Sequence, residues 1–108
     1  MSQNKEAMTK LAKRVVEGYE EVHNKNYARA QQLLEPLVPM LHSETKPNIK
    51  LLAYSAIAQI GAKDVDHFLQ TYEMIKLQKP STSQEKALIK RVDELFETLM
   101  ETMNEDKK

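Results

Sequence analysis

A stretch of this sequence is written twice. Moving residues 11–42 forward by 38 sets Leu11 on Ile49, Val15 on Ala53, Tyr19 on Ile57, Val22 on Ile60, Tyr27 on Val65, Ala30 on Phe68, Leu34 on Tyr72 and Leu37 on Ile75. The break inside each copy coincides too, Asn24-Lys25-Asn26 with Ala62-Lys63-Asp64. Between breaks, apolar residues return at three and four, the spacing that gathers them on one face of an α-helix. A helix, a tight turn and a second helix, given twice, point to a stacked helical repeat. Repeats of this kind build surfaces for other molecules rather than catalytic pockets.

Composition narrows the class further. A chain of 108 residues fits one domain with one modest core. Lys plus Arg total 16 and Asp plus Glu total 16, so there is no basic excess of the kind a dedicated nucleic-acid binder uses against phosphates. The chain has no Cys, hence no disulfide framework, thiol nucleophile or thiolate metal site. A reducing cytoplasm is the expected home. The start, Met1-Ser2-Gln3-Asn4-Lys5-Glu6, lacks the apolar run of a signal peptide, and no stretch approaches the roughly 20 apolar residues of a membrane span. Two Gly and four Pro, among abundant helix formers, predict an all-α chain.

Five helices are expected. The first runs from about Asn4 to His23 with Met8, Leu11, Ala12, Val15, Tyr19 and Val22 inward. Asn26 is the expected N-cap of the second, which carries Tyr27, Ala30, Leu33, Leu34, Leu37, Val38 and Leu41 inward. Pro36 and Pro39 each remove a helical donor, which predicts a kink near Glu35 or an early end. The third starts with Pro47 in its first turn and stops near Gly61. Asp64 caps the fourth, and Lys79-Pro80 ends it. Ser81 and Gln84 form an expected capping box for the fifth, which carries Leu88, Val92, Leu95, Phe96, Leu99 and Met103. Short turns make neighbours antiparallel. The expected layout is one hairpin over about 4–42, a second over about 47–79, and a capping helix over about 82–104.

In the first unit Gly18, Tyr27, Ala30 and Leu34 take the small, aromatic, small and aliphatic places of a known pattern. On these residues the stretch 8–80 resembles tetratricopeptide-repeat proteins. That resemblance implies two antiparallel hairpins, close helix approach at Gly18 and Ala30, a protein- or peptide-binding role, and no catalytic residues. It also implies that the first helix of each hairpin lines the binding face.

Candidate chemistry is sparse. Glu20…His23 and Asp64…His67 have the carboxylate-x-x-His spacing used by di-metal bundles. At about 100° per residue, His67 points away from the Phe68–Leu69–Tyr72 stripe toward water, and Asp64 is better used as a cap. A compact helical bundle that binds a metal or small ligand through His23 and nearby carboxylates stands as the alternative function. Ser2, Ser43, Ser81 and Ser83 fall at helix starts or loops, where serine caps, and Ser55 has no nearby His. No glycine-rich phosphate loop exists.

The third helix is apolar on two sides: Ile49, Leu52, Ala53, Ala56 and Ile60 on one, Leu51, Tyr54 and Ala58 on the other. Such a helix is either buried centrally between flanking pairs or borders a partner. Met100 and Met103 offer a further adaptable apolar edge. The sequence therefore predicts a non-enzymatic adaptor or regulator, without cofactor, metal, nucleic-acid or membrane partner. It would bind a protein, a peptide or a second copy of itself. Leu51, Tyr54 and Ala58 are the expected contacts, with Lys10 and Arg14 as polar rim.

Overall fold

A computed structural model describes the backbone of residues 2–106 and the side chains of residues 5–104. Every element among them is a helix. In order these are α1 (Ser2–His23), α2 (Tyr27–Leu34), a 3-10 turn (Glu35–Leu37), the single-turn α3 (Val38–Leu41), α4 (Ile49–Gly61), α5 (Val65–Lys76) and α6 (Ser83–Asp106). The all-α expectation holds.

The repeat survives in the backbone, hydrogen bond for hydrogen bond. After α1 the amides of Asn24, Lys25 and Asn26 donate to the carbonyls of Glu20, Val22 and Glu21. After α4 the amides of Ala62, Lys63 and Asp64 donate to Ala58, Ile60 and Gln59, the same three bonds 38 residues on. This is the Schellman arrangement, in which a left-handed residue folds the chain back over the last helical carbonyls. The left-handed residues are Lys25 and Lys63, at φ 65° and 67°. Gly61, the expected stop, is still helical. Its lack of a side chain serves packing instead, since a Cβ there would run into the Tyr27 ring.

Caps differ from the sequence expectation in three places. Asn26 makes no side-chain cap; its side-chain Nδ2 donates to Glu21 Oε1 at 3.5 Å instead. Pro47 precedes α4 rather than opening it. Asn48 is the N-cap, its Oδ1 accepting from the Leu51 amide at 3.1 Å, because a side-chain acceptor at that point satisfies a free first-turn donor. The capping box of α6 lies one residue later than Ser81/Gln84. Thr82 Oγ1 accepts from the Glu85 amide at 3.0 Å, and Glu85 Oε1 accepts from the amides of Ser81 and Thr82 at 2.8 and 3.3 Å. Asp64 caps α5 as expected, accepting from the His67 amide. That helix ends at Lys76, ahead of Lys79-Pro80.

Of the kink or early end expected near Glu35, the structure shows the early end. α2 stops, Pro36 opens the 3-10 turn and Pro39 opens α3, so each proline lies in a first turn where no amide donor is needed. His42 is extended and ends the run. Its Nδ1 accepts from the Asn48 amide at 2.9 Å, closing the loop before α4.

α1 and α2 run antiparallel. Glu21 meets Asn26, Glu17 meets Arg29 at 3.8 Å, and Arg14 meets the carbonyls of Gln32 and Leu33. Where they draw close, Gly18 faces the buried Leu34, which occupies the space a Cβ would need. α5 packs on α4, and α6 packs on both. Tyr72 of α5 stacks on Phe96 of α6 at 4.3 Å and donates to Asp93 Oδ1 at 2.7 Å.

α4 is the centre. Leu51, Tyr54 and Ala58 pack with Val22, Ala30, Leu34 and Leu37 in one core cluster. Leu52, Ala53 and Ala56 pack with Phe68, Ile75 and Val92 in the other. The first six residues with described side chains, Lys5 to Lys10, are exposed, as are residues 101–104 at the far end of α6. The molecule is accordingly long, 59 × 28 × 21 Å.

Candidate functional site

The contact residues read from the sequence are mostly interior. Leu51 and Ala58 are 0% exposed and Tyr54 is 8% exposed. They do not line a groove, because α1 and α2 cover that side of α4 while α5 and α6 cover the other. Tyr54 stacks on Tyr19 at 4.2 Å, and its hydroxyl lies 3.1 Å from His23 Nε2. Lys50 Nζ sits 5.3 Å above the Tyr19 ring. Burial, reinforced by the neighbouring Tyr54, pushes the Tyr19 hydroxyl up to about 12.

Arg14 is also structural. Its guanidinium donates to the carbonyls of Leu33 and Gln32 at 3.0 and 3.1 Å. These are carbonyls at the C-terminal end of α2, where a cation complements the helix dipole. Lys10 alone of the five is free to face a partner, exposed beside Lys5 and Lys13 on α1. His23 pairs with Tyr54 and is not in the acidic cluster, so a metal site built on it has no support in the geometry.

Two surface features come into view instead. The first is a cleft of about 420 Å³ between α1 and α3, lined by Met8, Leu11, Pro39, Met40, Leu41, His42, Ser43 and Lys46. Met8 and Met40 are each 62% exposed, which is high for large apolar side chains. Lys46 lines it as well; Lys10 and Lys13 line a separate depression with Lys5, Glu6 and Thr9, on a face of α1 turned away from Met8 and Leu11.

The second is polar. Among the described residues, the cluster of side chains able to converge on one cation is Glu35, Asp64 and His67, with candidate ligand atoms all within 4.8 Å of one another. Glu35 keeps helical dihedrals and its amide donates to the Gln31 carbonyl, so it falls one turn after Gln31 on the face of α2 that meets the start of α5. Gln31, one turn before Glu35, donates to Glu35 Oε2 and to Asp64 Oδ2, both at 2.7 Å. Asp64 Oδ2 lies 2.6 Å from His67 Nδ1, and His67 Nε2 lies 3.6 Å from Glu35 Oε1. Gln31's donation, with His67's, holds the Asp64 carboxyl below the usual range. The Asp64 bond, followed by the Glu35 charge, holds the His67 imidazole above its ordinary value.

Below this cluster lies a narrow cleft of about 150 Å³, lined by residues including Glu35, His67, Thr71 and Gln59 of α4. Gln59 is 2% exposed, and its side-chain carbonyl has no hydrogen-bond partner. An orphaned buried acceptor is costly and calls for a donor or a cation.

No family model matches the chain, and no curated protein or solved structure matches it. Among the described residues no helix is long and apolar enough to cross a membrane.

Sequence spacing pairs Asp64 with His67 but does not bring in Glu35. The missing signal was Gln31, one helical turn before Glu35, which reaches Asp64 across the α2–α5 contact.

Proposed function

We propose that this chain is a non-enzymatic cytoplasmic binding module that receives an apolar, acidic segment of another protein in the α1–α3 cleft. The observation that carries the reading is the exposed Met8–Met40 pair beside Lys46, with Lys5 one helical turn before Met8 on α1. Methionines at a binding surface adapt to varied apolar side chains. The lysines would select acidic flanks and speed encounter. The absence of cysteine fits a reducing compartment. The internal repeat and its resemblance to tetratricopeptide hairpins agree with an interaction role.

The test is affinity capture from native lysate with wild type beside Met8→Asp/Met40→Asp, both first shown to be folded by circular dichroism. Both positions are exposed, so the double variant should keep its fold. The reading predicts captured chains that crosslink to the cleft through acidic, apolar segments, with retention falling as salt rises. Equal capture by the double variant would move the binding surface elsewhere. A dimer in sedimentation that the substitutions abolish would make the occupant a second copy. The end of α6 has matching chemistry, with Leu99, Met100 and Met103 beside Glu97 and Glu101.

A further inference from the structure

We propose that Glu35 and His67 bind one zinc-class divalent cation at the mouth of the Gln59 cleft, tying the end of α2 to the start of α5. Three features of the site point to this. The first is the orientation of the imidazole. Asp64 Oδ2 lies 2.6 Å from His67 Nδ1, so the Nδ1–H donates to the carboxylate and the lone pair stays on Nε2. A carboxylate that fixes the other ring nitrogen is the usual support of a metal-ligating histidine.

The second is spacing. His67 Nε2 and Glu35 Oε1 stand 3.6 Å apart. Two ligand atoms each about 2.0–2.2 Å from a tetrahedral zinc ion lie about that far from one another. Glu35 is itself held from behind, since its second oxygen accepts from Gln31. The same Gln31 amide also steadies Asp64, so one side chain braces both carboxylates.

The third is the orphan. Gln59 belongs to a different helix from any member of the cluster, is almost wholly buried, lines the same cleft as Glu35 and His67, and leaves its carbonyl oxygen without a partner. A cation at the cleft mouth, directly or through a water it polarises, supplies what that oxygen lacks. Imidazole with carboxylate and amide oxygen suits zinc, nickel or copper and disfavours magnesium or calcium, which take oxygen shells. With two charged or imidazole ligands from the protein, water completes the shell, so the site is an ion-responsive clasp rather than a permanent structural zinc.

Zn²⁺ itself is the probe, added to the chelator-stripped full chain. At ten times its Kd, Zn²⁺ should raise the Tm of wild type by roughly 5 °C, and Mg²⁺ at the same concentration should leave it unchanged. Glu35→Gln and His67→Gln each lie on the surface and should fold, as circular dichroism would verify. Each should weaken Zn²⁺ binding at least tenfold in calorimetric titration. His23→Gln and His42→Gln should bind as wild type does. No Tm shift in wild type at about 1 mM Zn²⁺ would overturn the proposal. So would an undiminished shift in the Glu35 and His67 variants, or one lost with His23 or His42 instead.

Discussion

Two lysines hold a backbone conformation that suits glycine. Lys25 and Lys63 each have φ in the left-handed region, which costs a residue with a Cβ about 1–2 kcal/mol. Both are exposed, so their side chains carry no packing that a substitution would lose. Glycine returns part of the gain through its greater freedom when unfolded. Lys63→Gly should therefore raise stability by about 0.5–1 kcal/mol in urea unfolding, and Lys25→Gly by a similar amount. The opposite sign is expected at Gly18, where an added methyl would press on Leu34 in the interior. Gly18→Ala should cost about 1–3 kcal/mol, the usual range for overpacking. Only one of these two kinds of site is legible in the sequence. The close approach at Gly18 is carried by its pairing with Ala30 and Leu34 in the repeat. The left-handed lysines are invisible because composition favours glycine there, and Gly61 stands two residues away as a decoy. Glu35, Asp64 and His67 converge only through a contact between α2 and α5, which no local spacing encodes.

At the level of the helix, α6 shows how a start is set. Thr82 and Glu85 exchange side-chain bonds with each other's backbone, and the Ser81 amide adds a third bond to Glu85. Thr82→Ala should cost about 1 kcal/mol. These bonds hold the Glu85 carboxyl below its ordinary value of 4.5, the Ser81 amide being the largest cause. A depressed folded pKa means that the stabilisation is complete above the unfolded pKa and fades as pH falls through the folded one. Wild type should thus exceed Glu85→Gln in stability at neutral pH. The difference should close on acidification below about pH 4, as parallel urea titrations would read. The sequence placed this box one residue early because Ser81 and Gln84 satisfy the same spacing. The choice falls to Thr82/Glu85, where a carboxylate accepts more strongly than an amide. α4 was legible in half: its two apolar sides were plain, but a side that meets a neighbour within the chain has the same composition as one that meets a partner.

Across the whole molecule, protection should follow cover. α4 lies between α1–α2 and α5–α6, while residues 5–10 and 101–104 project into solvent. Native-state hydrogen exchange should be slowest over residues 52–58 and fastest over those two projecting ends, since opening energies scale with buried contacts. Rapid exchange in the middle of α4 would mean that its flanking helices separate readily. The doubled turn suggests units that could be added or removed like beads. The core says otherwise, because α4 gives Leu51, Tyr54 and Ala58 to one cluster and Leu52, Ala53 and Ala56 to the next. Neither copy owns a complete interior. A chain severed between Glu44 and Thr45 would leave two halves that are each sticky and incomplete, and that mend only by finding one another. A gene that dropped one copy would yield not a shorter version of this protein but an unfolded one.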